Sequence, residues 1–497
     1  MRNMLISGLL VSFGLFVGRL SGFVREAYIA SQFGATEQAD LIIIFLSAPD
    51  ILVNLLVGGA LGMALIPEFK QLDQMSSIRL YQQVLVVLIV MFSAISLVAY
   101  FYAGYILSLL APGLNDGTIE KYRNTFAITF IAIPLTVATG VTAAFLHYKG
   151  KFLVPALGTF VFNIVLIISL YMANKLEPKN VLFLISLGVC LGAVIRWVTQ
   201  LLDSRTLPFN RVFLKKCVIN SSLVKRYFYC VLTGGMIFLL PVVARAIASQ
   251  SGVGELSLVN YAIKLVEFPL GVVLTVFTIV LFPKFSSLSA QGKNNEFLVI
   301  FKQTLLTVIA ISFAIYVPLN HFSLSFVYLV YDWGGLTLGQ LDKVSAYFNH
   351  VSLTLPFQGI NALLIAVIVS RKDALSPLIC STGLTAIFIM IGYGFVVDIS
   401  AVFNLMIITY AVLSIVLLVI ILVKHRVSFV SNTFVFDFFK LLGAAIIYYW
   451  LLSQVTFLQL SIWRDLFISG VSSLVFLVVC VVLSHNIRQI IKVQKGS

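Results

Sequence analysis

Seven basic residues fall inside or at the edges of long apolar runs: Arg19, Arg25, Arg196, Arg245, Lys264, Lys302 and Lys440. A charge at mid-bilayer costs about 2.5–3.5 kcal/mol on insertion scales, so such side chains face a water-filled cavity or a partner. Arg19 and Arg25 share the first apolar run with Gly14, Gly18 and Gly22, whose i, i+4, i+8 spacing makes a small-residue face for a neighbouring helix. The two arginines flank that face. A guanidinium fork suits phosphate oxygens bidentately, which makes a ligand phosphate the expected partner. The structural alternative pairs both arginines with Asp40 or with backbone carbonyls. Further along, Asn260-Tyr261-Ala262-Ile263-Lys264-Leu265-Val266-Glu267-Phe268-Pro269 puts Lys264 and Glu267 one turn apart on one helix face. Pro269 lacks the N–H that the helix ladder needs, and the freed carbonyl suits a cavity. The pair reads either as part of a central anion site or as an intrahelical ion pair. Arg196 and Lys302 lie nearer helix ends, where long stems snorkel to the surface; Arg245 stays open.

Catalysis has little support. The five histidines, His147, His321, His350, His425 and His485, sit in or beside loops without HExxH spacing, and no phosphate-cradling glycine loop or nucleophile elbow is present. Glu37 and Asp40 form an acidic cluster in an expected external loop, as some membrane glycosyltransferases use, but acids near a helix N-terminus are the plainer reading. The cysteines Cys190, Cys217, Cys230, Cys380 and Cys480 are scattered without a CxxC pair and read as structural thiols. No metal site and no cofactor is expected, only an unidentified coupling ion or the membrane potential. The chain reads as a transporter, not an enzyme.

The helices that must hold these residues follow from composition. Of 497 residues, 60% are hydrophobic and 10% charged, and mean hydropathy is +1.05, which defines a polytopic all-α membrane protein. Apolar runs long enough to cross about 30 Å of hydrocarbon number fourteen, from 4–28 to 464–485. The first run mimics a signal peptide but continues past Arg19 without a cleavage site, so it reads as a retained span. The net charge of +14 is spread over short loops, which excludes a nucleic-acid patch. Twenty Lys and Arg fall in the N-terminus, the even-numbered loops and the C-terminus, against six in the odd-numbered loops. That bias puts both termini in the cytoplasm.

An internal repeat organises the spans. Ile29-Ala30-Ser31-Gln32-Phe33-Gly34 returns as Ile247-Ala248-Ser249-Gln250-Ser251-Gly252, each after an arginine, Arg25 or Arg245. Leu65-Ile66-Pro67-Glu68-Phe69 returns as Leu281-Phe282-Pro283-Lys284-Phe285, and the basic turn from Lys149 to Pro155 returns from Arg371 to Pro377. The expected organisation is an N-lobe of six spans at 1–205, a basic linker at 206–222, a C-lobe of six spans at 223–424, and two further spans with a short tail at 425–497. Two six-helix lobes crossing in the same sense enclose a central cavity and expose it alternately.

Arg19-Leu20-Ser21-Gly22-Phe23-Val24-Arg25-Glu26, Phe33-Gly34-Ala35, Ala39-Asp40, Pro49 and Gly59-Ala60 to Pro67 resemble the N-terminal signature of the MurJ/MviN lipid II flippases. Tyr261 to Pro269 with Pro283 resembles that family's span 8, and Ser370-Arg371-Lys372-Asp373 its basic turn after span 10. The resemblance implies that Arg19, Arg25, Asp40, Lys264 and Glu267 line a substrate cavity, with Arg245 and Asn54 as further candidates. It implies a protein of the bacterial inner membrane whose partners are a polyprenyl-diphosphate-linked saccharide and membrane lipids; a monomer is assumed, as the sequence does not give the oligomeric state. Two positions depart from the pattern: Val53-Asn54 stands where the family carries two adjacent arginines, and Gly58 where it carries a glutamate. An O-antigen, capsule or exopolysaccharide repeat unit therefore stands beside lipid II as expected cargo. A multidrug or cation antiporter and, further off, a membrane glycan polymerase are the alternatives of other kinds.

Overall fold

A computed structural model describes residues 2–56, 60–175, 178–206, 219–221, 223–224, 227, 236–395, 398–427, 431–455 and 461–489. Within them the chain is 88% helix with no strand. The division is into two compact units, Met1–Asn260 and Tyr261–Ser497. Of the expected fourteen spans, nine of the described helices are long and apolar enough to cross a membrane, or ten if one bent pair counts as a span.

The first unit holds α1 (Arg2–Phe33), α2 (Glu37–Leu56), α3 (Ala60–Gln71), α4 (Gln74–Phe101), α5 (Ala103–Leu110), α6 (Asp116–Ile128), α7 (Ala132–Tyr148), α8 (Leu153–Ala173), α9 (Pro178–Ser204) and α10 (Leu239–Ala248). It ends within the first two turns of α11 (Glu255–Ala290). Helix α8 lies between α1 and α9, while α7 packs on α3, α4 and α9. The glycine face of α1 meets α8: a Cβ on Gly14 would come within 2.7 Å of Ala156 Cβ, one on Gly18 within 3.2 Å of Thr159 Cβ, and one on Gly22 within 3.3 Å of Asn163 Nδ2. Close approach of helix backbones is what small residues permit where lipid supplies no hydrophobic drive.

The second unit continues α11 and adds α12 (Asn294–His321), α13 (Ser323–Tyr331), α14 (Leu338–Ser352), α15 (Thr354–Ser370), α16 (Leu375–Phe395), α17 (Ile399–Val423), α18 (Asn432–Ser453) and α19 (Ile462–Leu483). Helix α15 packs on α12 and α17, α16 packs on α17, and α18 and α19 lie against α12. This repeats the pairing of α7 with α4 and α9, and of α8 with α9.

The repeat holds helix by helix. Gln74 and Phe101 bound α4 as Asn294 and His321 bound α12, displaced by 220 positions, and each helix breaks at the next residue, Tyr102 or Phe322, before a short helix. From there Ala132–Tyr148 corresponds to Thr354–Ser370, and Leu153–Ala173 to Leu375–Phe395, displaced by 222. The same displacement relates two polar ties across the basic turns. Lys151 Nζ meets Asp203 Oδ1 at 2.9 Å, and Asp373 Oδ2 meets His425 Nε2 at 3.0 Å. The acceptor carboxylate and the nitrogen donor have changed places while the contact is kept. In the second unit Lys424 adds its own ion pair to Asp373 at 2.8 Å, and Ser376 Oγ donates to the same carboxylate at 2.7 Å.

Three of the sequence-stated features lie outside the described residues: most of the linker 206–222 (207–218 and 222), Cys217 with Cys230, and the last eight residues of the tail. The boundary between the compact units falls inside α11 at Asn260: Gly254 and Ser257 donate to Asp40 and Asn260 donates to Glu26, both residues of the first unit. Pro269 leaves α11 continuous as a helix, since one missing donor removes one ladder bond without ending the helix when neighbours hold it.

Burial raises the Asp373 carboxyl, but hydrogen bonds from Lys424 and Ser376 more than offset it and bring the value down to about 2. A carboxyl held below its unfolded value stabilises the fold above that value and loses the contribution as pH falls through the folded one. Asp373→Asn is expected to lower stability at pH 7 by about 1–2 kcal/mol, the range for part-exposed charge-assisted bonds. In thermal melts of the purified protein, the gap from wild type should close as pH drops from about 4 to about 2.

Candidate functional site

Arg25 lies on the α8-facing side of α1, one turn beyond Gly22, and its side chain is 13% exposed. Its guanidinium donates from one terminal nitrogen to Asn163 Oδ1 at 3.0 Å and from the other to Glu26 Oε1 at 2.6 Å. Asn163, in the middle of α8, is oriented by two further bonds: its amide nitrogen donates to the Gly18 carbonyl at 3.2 Å and to Ser21 Oγ at 3.1 Å. The second oxygen of Glu26 accepts from Asn260 Nδ2 at 3.0 Å. Asn260 Oδ1 in turn accepts from Arg245 at 2.9 Å, and Arg245 Nε donates to the Pro241 carbonyl at 3.2 Å. Five side chains, Asn163, Arg25, Glu26, Asn260 and Arg245, thus form one continuous chain of hydrogen bonds across α1, α8, α10 and α11. Two guanidinium groups and one carboxylate are its charged members. Glu26 is 4% exposed, Asn163 3% and Asn260 1%, so each amide and carboxylate here must be satisfied from within the protein.

Asp40 does not pair with the arginines. Its carboxylate accepts from the backbone N–H groups of Gly254 and Ser257, both at 2.8 Å, and from Ser257 Oγ. Those amides open α11, so Asp40 caps a helix N-terminus that belongs to another span, where the exposed donors and the helix dipole favour a carboxylate. The two copies of the repeated turn therefore meet each other: Gly34 and Ala35 belong to one, Gly252 and Gly254 to the other. Gly254 has φ +82, and a Cβ there would lie 2.3 Å from the Ala35 carbonyl oxygen, so both the conformation and the space require glycine. The Gly113 amide adds a bond to Ser249 Oγ at 3.0 Å on the same side.

The remaining candidates are placed as follows. Arg19 has an exposed side chain. Lys264 and Glu267, in the second unit, form a 2.6 Å ion pair with side chains 29% and 36% exposed. Asn54 lies in α2, and its side chain is outside the described residues. Among the described residues no group of three or more His, Cys, Asp or Glu converges to hold a metal ion. Glu26, Asn163 and Asn260 are the members that sequence reasoning passed over. The available signal was a lone amide inside an apolar run, in Val161-Phe162-Asn163-Ile164 and Leu258-Val259-Asn260-Tyr261.

The sequence profile of the family described as lipid II flippase MurJ matches residues 29–480. This chain belongs to that family. Among its relatives, the probable lipid II flippase MurJ of Aquifex aeolicus is 23% identical over 386 residues, covering 76% of this chain and 74% of the relative. That of Rickettsia prowazekii is 24% identical over 394 residues, covering 75% and 74%. The fold resembles a solved lipid II flippase MurJ in an inward closed conformation, with a TM-score of 0.74 and 20% identity over 94% of this chain and 98% of the other. It also resembles an inward-facing multidrug resistance MATE transporter of the MOP superfamily, with a TM-score of 0.64 and 11% identity over 83% and 94%. MurJ family membership makes the chain a multi-pass inner-membrane protein of a transporter family.

Removing the Asp40 carboxylate leaves two buried backbone donors at the start of α11 without their acceptor, which costs about 1–3 kcal/mol per unsatisfied group. Asp40→Ala is expected to speed amide hydrogen exchange at Gly254 and Ser257 by about tenfold or more. Protection equal to wild type at both amides would show that the cap contributes nothing.

Proposed function

We propose that this protein translocates a polyprenyl-diphosphate-linked saccharide, lipid II, from the cytoplasmic to the external leaflet by alternating access. The observation that carries the reading is the buried Arg25 network in a chain that belongs to the MurJ family. A guanidinium held by an amide and a carboxylate, inside an apolar bundle, is a prepared donor for diphosphate oxygens, and its orientation is already fixed before the ligand arrives.

In this reading the lobes at 1–205 and 223–424 form the two sides of the path, with Arg19, Arg25 and Lys264 neutralising the diphosphate. Glu267 orients Lys264, and Arg245 and Asn54 line the cavity. Asp40 holds the two repeated turns together, closing the external side while the cytoplasmic side is open. The saccharide passes in water while the isoprenoid stays in lipid, so no polar head meets hydrocarbon. No bond is made or broken. The monomer carries the whole path.

Both termini are assigned to the cytoplasm. The bias of Lys and Arg towards the N-terminus, the even-numbered loops and the C-terminus supports this. Val53-Asn54 and Gly58, where the resemblance leads one to expect two arginines and a glutamate, support a second reading with a different polyprenyl-diphosphate glycan as cargo.

Depletion of the protein in its host should cause the cognate lipid-linked saccharide to accumulate on the inner leaflet. In proteoliposomes, Arg25→Ala is expected to reduce translocation by about ten- to a hundredfold, since a charge-assisted hydrogen bond to the ligand contributes about 1.5–3 kcal/mol. Arg25→Lys should recover only part, because one ammonium cannot reproduce the fork to both Asn163 and Glu26. Lys440→Ala, whose ammonium lies over the Phe436 ring in α18, should leave translocation unchanged. Equal losses at Arg25 and Lys440 would count against this site.

A further inference from the structure

Glu26 stands in an unusual place for a carboxylate that only orients an arginine. One of its oxygens is 2.6 Å from Arg25, and the other accepts from Asn260 at 3.0 Å. Asn260 continues to Arg245, and three residues before Asn260 is Ser257, which binds Asp40. The carboxylate therefore joins the cation offered to the ligand with the start of α11, where the two repeated turns meet. A diphosphate approaching Arg25 carries the same sign and the same oxygen geometry as Glu26, and competes for the same guanidinium nitrogens.

We infer that Glu26 is the internal anion that substrate phosphate displaces from Arg25, and that Asn260 carries the displacement to Arg245 and the first turns of α11. This rests on the function proposed above. With Arg25 turned to the ligand, the Glu26 carboxylate loses its 2.6 Å ion pair and its hold on Asn260 changes, so binding itself loosens the closed turn-to-turn contact. A ligand shifts a conformational equilibrium only by its differential affinity for the two states, and exchange of partners at Arg25 supplies that difference. Asn163 keeps the guanidinium in place through the exchange, since its bond to the other terminal nitrogen needs no carboxylate. Glu26, Asn163 and Asn260 are positioning residues in this account.

Glu26→Gln keeps the size of the side chain and one of its two acceptor oxygens while removing the competing charge. Binding of undecaprenyl diphosphate to the full-length protein in detergent should tighten by about tenfold, while translocation slows because the closed contact no longer senses the ligand. In wild type, adding undecaprenyl diphosphate should raise amide hydrogen exchange across 254–260. Asn260→Leu, which removes the link between Glu26 and Arg245, should abolish the exchange response.

Weaker binding in Glu26→Gln, of the size seen for Arg25→Ala, would mean that Glu26 only organises the arginine, and would overturn the displacement. Tighter binding with no ligand-induced change at 254–260 would overturn transmission through Asn260. If wild type binds no diphosphate, the proposed function fails first. Exchange at 254–260 in ligand-free Glu26→Gln then still judges the tie between Glu26 and Asn260: unchanged protection would overturn it.

Discussion

A guanidinium buried in an apolar helix bundle constrains everything around it. Arg25 cannot shed its proton, so its charge must be met by fixed partners or by a ligand. The helices supply Asn163 from α8 and Glu26 from α1 itself. Those partners in turn need α8 to approach α1 closely, which is why the α1 positions that face it are glycines. The polar contact and the small-residue seam are one design: a bulkier residue at Gly22 would push against Asn163, whose amide nitrogen lies 3.3 Å from where its Cβ would be.

The same logic places the two repeated turns. Helix α11 begins with donors that have no partner within the helix, and lipid offers none. Asp40 provides the acceptor from α2, so the start of a helix in the second repeat is finished by a residue of the first. A cap shared between two segments can be broken and remade without unfolding either, unlike a cap supplied by the residue just before the helix. Such a contact suits an element that has to open and close. The donor-exchanged ties, Lys151 with Asp203 and Asp373 with His425, have the opposite character. Each joins the basic turn between two helices to the end of the helix after the next, α9 or α17, within one compact unit.

Preservation of a contact with its donor and acceptor interchanged shows what the repeat conserves. The geometry of the turn and the helix end fixes two side chains within reach, and either order of donor and acceptor satisfies them. A duplicated unit can therefore drift in sequence while its packing pattern stays, and this explains why only short echoes remain visible in the chain. The breaks at Tyr102 and Phe322 persist for a similar reason, since the helix following each break must turn at the same depth.

From the sequence alone came the membrane class, the two-copy organisation, the glycine face of α1, and the presence of Arg25, Lys264 and Glu267 as charges inside apolar runs that require partners. These are legible because lipid imposes composition, helical spacing and a cost on charge that act locally along the chain. The role of Asp40 was not legible: its partners, Gly254 and Ser257, are more than 200 positions away and two of the three bonds come from backbone amides, which have no sequence signature. Nor were Asn163 and Asn260, since an amide in an apolar run shows that a hydrogen-bond partner must exist without saying which. Pairing across helices is a property of three-dimensional packing. Local chemistry decided which residues needed partners, and only the tertiary structure decided who those partners are.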